Sequence, residues 1–99
     1  MPLHRYGFIV KSNDLEMFKH HARLHSDSFD MSIAGVSDVS QAELVAQEMI
    51  TKGIQLIELC GAFSKDDARR ISDAINDHIP VGCVQYTDEE RARLKLELA

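Results

Sequence analysis

The chain has 99 residues, of which 44% are hydrophobic and 27% charged, with only two prolines and five glycines. This length fits one domain, residues 1–99, and the composition is typical of a globular protein rather than a disordered or fibrous one. Eleven lysines and arginines against sixteen aspartates and glutamates give a net charge of −5, which argues against nucleic acid and anionic membranes as partners.

The sequence shows no pattern for export or for a membrane span. The first apolar run, residues 6–10, is too short for the hydrophobic region of a signal peptide. No apolar stretch approaches the roughly 20 residues that cross a bilayer. We therefore expect a cytoplasmic protein, in which Cys60 and Cys83 stay free thiols.

The first predicted unit is a strand followed by a helix. Residues 6–10 are β-rich, and Asn13 with Glu16 three positions later has the spacing of a helix capping box. The apolar residues that follow recur at i, i+3 and i+7: Leu15, Phe18 and Ala22. This pattern predicts a helix from Asn13 to about residue 24.

The second unit has clearer signals. Residues 29–36 form an extended apolar run, and Ser40 with Glu43 is a second capping box. A helix with a regular apolar face follows and ends at Gly53, the residue type that favours the left-handed position after a helix. Residues 54–60 then predict a strand, dense enough in isoleucine and leucine to be covered on both faces.

The third helix is predicted to begin at Ser64 and to end before Pro80. Residues 81–86 predict a fourth strand. Thr87 with Glu90 forms a further capping box, which favours a C-terminal helix. However, residues 93–98 alternate with the period of a strand, so both structures stay open for this segment.

Four strand-then-helix units predict an α/β fold with a four-stranded, mainly parallel sheet. We expect an open, flavodoxin-like sheet. The alternative is half of a (β/α)8 barrel, since each unit has about the length of one barrel repeat. An isolated half barrel would expose its inner sheet face and would therefore need to dimerise.

Residues 57–63 read I-E-L-C-G-A-F, and Pro80, Val81 and Gly82 follow. Together with the alanine-rich helix that ends at Gly53, this pattern resembles a family of small bacterial α/β proteins known as a domain of unknown function. The resemblance covers roughly residues 7–86. Ala62 stands where the family pattern has a second glycine. The resemblance implies the fold and assigns no catalytic residue.

Ligands of open parallel sheets bind at the carboxyl ends of the strands, and helix N-termini at that edge attract anions. The candidate ligand-binding residues there are Ser12, Asn13, Ser37, Gly61, Ser64, Tyr86 and Thr87. The alternative is that the serines and threonine only cap helices. No glycine-rich phosphate loop is present, so we expect no nucleotide or other cofactor.

Glu58 and Cys60 are the candidate catalytic residues. Both lie on one face of an otherwise apolar strand, where a carboxylate beside a thiol would suit acid–base chemistry. The alternative is a structural carboxylate paired with Arg69, Arg70 or a helix N-terminus. In either case we expect Glu58 to be mostly buried and to have a hydrogen-bond partner.

Two further patterns concern metals and disulfides. His21 and His25 have the i, i+4 spacing that lets two imidazoles share a metal on a helix, but Ala22 occupies the glutamate position of the H-E-x-x-H motif. We expect a solvated histidine face and no metal. If the third and fourth strands start level, Cys83 lies about four residues, or roughly 13 Å, from Cys60, too far for a disulfide.

Two functions are compatible with these residues. One is a module that binds a small anionic molecule at the carboxyl edge, with Glu58 and Cys60 available for chemistry. The other is an oligomeric accessory or assembly protein without catalysis. Three leucines in the C-terminal segment have no internal face to cover and predict a homodimer: Leu94, Leu96 and Leu98.

Overall fold

The computed structural model describes residues 2–99 and contains one mixed sheet with three helices. In chain order the elements are β1 (Arg5–Lys11), β2 (His21–His25), β3 (Asp30–Val36), α1 (Val39–Thr51), β4 (Leu56–Leu59), α2 (Lys65–Ala74), β5 (Val81–Cys83) and α3 (Asp88–Glu97). The strand order is β2-β3-β1-β4-β5, and all neighbours are parallel except β2 and β3. The predicted α/β class and mainly parallel sheet are confirmed, with five strands instead of four.

The hydrophobic core lies between the sheet and two of the helices. Helices α1 and α2 pack against each other and contribute to one buried cluster with strand residues that are fully buried, among them Ile9, Ile57 and Leu59. The absence of a side chain at Gly7 allows close packing, since a Cβ there would lie 2.6 Å from the Met49 sulfur. Both helices therefore cover the same face of the sheet.

The opposite face of the sheet, called the bare face below, is not covered by α1 or α2. Strand alternation and register assign these side chains to it: Tyr6, Phe8, Val10, Ala22, Leu24, Met31, Ile33, Leu56 and Glu58. Leu15 and His20, from the loop between β1 and β2, lie against this face at Gly35. A flavodoxin-like sheet has helices on both faces, so this two-layer arrangement differs from our first expectation.

The helix predicted from Asn13 to residue 24 is wrong. Residues 12–20 form turns, in which the Glu16 backbone N–H donates to His20 Nδ1 at 2.9 Å and Phe18 has a φ of 63°. Residues His21–His25 then form the edge strand β2, antiparallel to β3. In this segment Ala22 and Leu24 alternate with histidine and arginine residues, which is the two-residue period of a strand. This pattern prevails over the i, i+3, i+7 spacing that predicted a helix.

Helix α1 begins two residues earlier than its predicted cap implies. The N-cap is Asp38, whose side chain accepts a hydrogen bond from the Gln41 backbone, so the capping role predicted for Ser40 is wrong. Glu43 instead forms an ion pair with Arg70 of α2 at 2.9 Å. The predicted left-handed glycine after α1 is confirmed, because Gly53 has a φ of 76°.

The second half of the chain follows the predicted order with shorter strands. Strand β4 covers Leu56–Leu59 rather than residues 54–60, and β5 covers only Val81–Cys83 rather than residues 81–86. The predicted start of α2 is confirmed by a capping box between Ser64 and Asp67. The helix ends at Ala74, before Pro80, where left-handed residues at 76 and 77 turn the chain.

The C-terminal segment is a helix, which resolves the alternative left open by its sequence. The Thr87 side chain caps α3 by accepting from the Glu90 backbone at 3.2 Å, as its sequence pattern predicts. None of the residues of α3 is buried. Its leucines are therefore solvent-accessible, with Leu96 and Leu98 exposed by 78% and 76%. No helix within residues 2–99 is long and apolar enough to cross a membrane.

Candidate functional site

The parallel strands bring the predicted ligand-binding residues to one edge of the sheet, but most of them have local structural roles. Ser12 Oγ donates to Asp14 at 3.0 Å, and the Ser37 backbone donates to the Gln41 side chain. Ser64 and Thr87 cap α2 and α3. Asn13 lies in a turn, so the expectation that it precedes a helix is wrong.

Gly61 and Tyr86 are brought together at this edge. A Cβ on Gly61 would lie 2.6 Å from the Tyr86 hydroxyl, so the ring packs against the glycine backbone. Ala62, which replaces the second glycine of the family pattern, is not among the residues with positive φ and is therefore unstrained. This contact positions Tyr86 directly before Thr87, the N-cap of α3.

A cavity of about 410 Å³, called the carboxyl-edge cavity below, lies beside Tyr86. Its lining includes Lys65 from the first turn of α2 and Arg91 from α3, and it contains no carboxylate. Arg91 is only loosely held, with its guanidinium 3.4 Å from the Tyr86 carbonyl and 3.6 Å from Asp88. Two cations without a lining acid make this cavity suitable for an anion.

Lys11 is the other cation at the carboxyl edge, and it is already partnered. Its ammonium lies 3.8 Å from the Asp67 carboxylate and 5.1 Å from the centre of the Phe63 ring. Hydrogen bonds from Ser64, first from its backbone, lower the pKa of Asp67, and the charge of Lys11 adds to this effect. The pair therefore links β1 to the start of α2 and is not free to bind a ligand.

Glu58 lies on the bare face and is largely though not fully buried, which agrees with the expectation of a mostly buried carboxylate. The predicted hydrogen-bond partner exists and is Tyr6, whose hydroxyl donates to Glu58 Oε1. The alternative partners, Arg69 and Arg70, instead pair with other carboxylates. Within residues 2–99, no lysine, arginine or histidine forms an ion pair with Glu58.

The surroundings of Glu58 combine a hydrogen-bond donor with free space. Burial, the hydrogen bond to Glu58 and the negative charge of Glu58 raise the pKa of Tyr6 to about 12, so its hydroxyl stays protonated at neutral pH. Gly82 is level with Glu58 on β5. A Cβ at Gly82 would lie 3.8 Å from Glu58 Cγ and 4.0 Å from Oε2, so the glycine leaves the space beside this oxygen empty.

The cysteines lie closer in register than their spacing predicted. Cys83 pairs with Leu59, so along the strands it lies one residue away from the level of Cys60. The predicted offset of four residues is therefore wrong. Both thiols are nevertheless free. Cys60 Sγ accepts from the Lys11 backbone at 3.4 Å. Burial, with a smaller contribution from the charge of Asp67, raises the pKa of the Cys83 thiol and disfavours its thiolate.

The histidine pair does not have the geometry considered for a metal. His21 and His25 belong to a strand, where four residues span about 13 Å, so they cannot share an ion as helical neighbours do. Among the residues that the structure describes, no cluster of three or more His, Cys, Asp or Glu side chains could hold a metal.

A second polar cavity, at the amino ends of β1 and β3, was missed by sequence reasoning. It has a volume of about 480 Å³, and its lining includes His4, Arg5 and His25. Arg23 is also present but is bound by Asp30 through two hydrogen bonds of 2.8 Å. These residues meet only because β2 folds back as a strand, which the predicted helix excluded.

Comparison with known proteins yields a family and no individual relative. No curated protein and no solved structure matches the chain. A model of a family of unknown function matches residues 4–98, nearly the whole chain. The match agrees with the resemblance carried by residues 57–63 and by the Pro80-Val81-Gly82 segment. The chain therefore belongs to the family of unknown function DUF6506.

Proposed function

We propose that the protein is a homodimeric binding protein in which the bare faces of two subunits pack together and enclose a small-molecule site at Glu58. One observation carries the proposal: the bare face is apolar except for Glu58 and the hydroxyl of Tyr6. Mainly parallel sheets are normally covered on both faces, because the side chains on both faces are apolar. A second copy supplies the missing layer.

The size of the bare face is compatible with a dimer interface. The five strands contain 26 residues, and at about 3.3 Å per residue and about 4.8 Å between strands they form a face of roughly 400 Å². Two such faces give about 800 Å², below the area of standard interfaces and typical of a weak dimer. Val84 and Tyr86 extend this apolar surface towards Leu94 of α3, and all three line the carboxyl-edge cavity.

Charge also favours a second copy over a charged partner. Among its nine side chains the bare face carries one charged group, Glu58, so the like-charged subunits meet through surfaces that are mostly uncharged even though each has a net charge of −5. Packing two sheet faces about 10 Å apart buries apolar side chains of both copies, and a two-fold axis doubles each favourable contact.

The proposal is tested by a charge on the bare face. Leu24 is 61% exposed, so Leu24→Asp should leave the monomer folded but place a desolvated carboxylate in the dimer interface. Leu44 of α1 is 47% exposed on the helical side, which makes Leu44→Asp the matched control. Sedimentation velocity at micromolar concentration should show dimers for wild type and Leu44→Asp, and monomers for Leu24→Asp.

Two results would reject the dimer: a wild-type protein that sediments as a monomer over the whole concentration range, or a Leu24→Asp variant that dimerises as wild type does. The circular dichroism spectra of both variants should match that of wild type, because each substituted side chain already contacts solvent.

A second candidate function is the binding of a small anion in the carboxyl-edge cavity. It is favoured by Lys65 and Arg91, which line this cavity while no carboxylate does. Inorganic phosphate should then cause saturable chemical-shift changes at Gly61 and Tyr86 that are lost in Lys65→Gln/Arg91→Gln. The control is Lys52→Gln, which removes a cation at the C-terminal end of α1, outside the lining of this cavity. Equal binding by both variants would reject the site.

A further inference from the structure

No lysine, arginine or histidine within residues 2–99 forms an ion pair with the Glu58 carboxylate. Its neighbours in the strand, Ile57 and Leu59, are fully buried under the helices, so the Glu58 side chain emerges on the bare face. Phe8 is its register partner on β1. In a single subunit the carboxylate still reaches solvent, since no buried side-chain oxygen within residues 2–99 lacks a hydrogen-bond partner, and its charge becomes costly only when the bare face is covered.

Only one of the two carboxylate oxygens is satisfied. Oε1 accepts the hydrogen bond from Tyr6, and within residues 2–99 Oε2 has no hydrogen-bond partner. Oε2 lies beside the gap left by Gly82, where even a methyl group would make ordinary contact at 3.8 to 4.0 Å. The free oxygen therefore borders a space that a small ligand group can enter.

We infer that Glu58 and Tyr6 bind the cationic nitrogen of a small amine, with an N–H group donating to Oε2 and the apolar part of the amine against Phe8. The inference rests on the proposed dimer, which encloses the site. Since the bare face of a second copy brings no lysine or arginine, it cannot neutralise Glu58. A ligand that carries the positive charge satisfies this carboxylate when water is excluded.

Each residue has a distinct role in this site. Glu58 supplies the charge, and Tyr6 positions it by fixing Oε1, so that Oε2 points towards the gap. Gly82 provides the space, and Phe8 provides an aromatic surface against which an alkyl or aryl group and its ammonium pack favourably. A dimer related by a two-fold axis has two such sites.

Benzylamine is a suitable probe, and benzyl alcohol is its neutral counterpart of similar shape. In titrations followed by ¹H–¹⁵N correlation spectra at neutral pH, benzylamine should produce saturable shifts at the Phe8, Glu58 and Gly82 amides. Benzyl alcohol should bind about tenfold more weakly or not at all, because a hydrogen bond to a charged group is stronger than a neutral one.

Two variants test the charge of Glu58 and the gap at Gly82 separately. Glu58→Gln keeps the size of the side chain and an oxygen that accepts from Tyr6, so the subunit stays folded while the affinity for benzylamine falls about tenfold or more. Gly82→Ala keeps the carboxylate and fills the gap without a clash, so it also weakens binding. Ala74→Gly, outside the bare face at the end of α2, is a control that leaves binding unchanged.

Sedimentation of the same samples distinguishes failure of the site from failure of the dimer. A dimeric wild type without saturable benzylamine shifts, or with equal affinity in Glu58→Gln, overturns the amine site and leaves the dimer intact. Equal affinities for benzylamine and benzyl alcohol also overturn it. A monomeric wild type whose benzylamine binding depends on Glu58 rejects the dimer and retains the amine site on the open face.

Discussion

Leu59 and Cys83 are paired across β4 and β5, and this register places Gly82 level with Glu58. A shift by one residue would put Val81 or Cys83 there and would turn the apolar side chains of β5 away from the core. The gap beside the carboxylate is therefore a consequence of the same register that packs Cys83 against the helices. Core packing and the candidate site depend on one strand alignment.

Alkaline pH should destabilise the protein through Tyr6. Unfolded tyrosine releases its proton near pH 10, whereas the pKa of folded Tyr6 is raised to about 12. Between these values the unfolded state holds fewer protons than the folded state, so rising pH favours unfolding. The contribution of Tyr6 to stability is complete below pH 10 and is lost as pH rises through about 12.

Urea denaturation between pH 9 and 12 measures this effect, where the range follows from the two pKa values of Tyr6. The free energy of unfolding should fall less steeply with pH in Tyr6→Phe than in wild type. Tyr86→Phe is the control, because within residues 2–99 Tyr6 and not Tyr86 donates to a carboxylate, and this variant should have the slope of wild type. Identical slopes in all three proteins would contradict the prediction.

Gly7→Ala should destabilise the fold by about 1–3 kcal/mol through overpacking. The added Cβ would lie 2.6 Å from the Met49 sulfur and 3.3 Å from Ile54 Cγ2, so the buried end of the Met49 side chain must shift within the core. Gly82→Ala is the comparison, because its Cβ would meet nothing closer than 3.8 Å. Chemical denaturation of both variants tests the difference, and equal stabilities would show that α1 does not need this close approach.

Ser64→Ala should lower the free energy of unfolding by about 1 kcal/mol, because it removes the side-chain half of the α2 capping box. Ser40→Ala is the matched control. Ser40 has the same sequence spacing to an acidic residue but does not cap α1, so its loss should change stability by less than about 0.5 kcal/mol. A larger effect at Ser40 than at Ser64 would refute the cap assignment.

The helices could be predicted from sequence because their signals are local. Ser64 and Asp67, and likewise Thr87 and Glu90, are three residues apart, and each pair forms its contact within one turn. The same spacing misled at Asn13 and Ser40, where a competing local contact prevails. Near Ser40, the Asp38 side chain accepts the hydrogen bond from the Gln41 backbone and caps the helix instead. After Asn13, the Glu16 backbone donates to the His20 side chain within a turn.

The candidate site could be predicted only in part, because it depends on strand order and register. Glu58 stands out as a carboxylate in an apolar strand, but its partner Tyr6 is 52 positions away and becomes a neighbour only when β1 pairs with β4. Gly82 is placed beside it by the turn at residues 76 and 77, which sets where β5 begins. The bare face follows from both helical crossovers lying on one side, which periodicity does not specify.

The most direct test of the proposed dimer is an isotope-filtered NOE experiment on a mixture of labelled and unlabelled subunits. The account predicts intermolecular NOEs to the side-chain methyl groups of Met31 and Ile33, which lie on the bare face, and none to the methyl groups of Leu44 on α1. A protein that shows no intermolecular NOE at Met31 or Ile33, or whose intermolecular NOEs arise only from helix residues, would contradict the central claim.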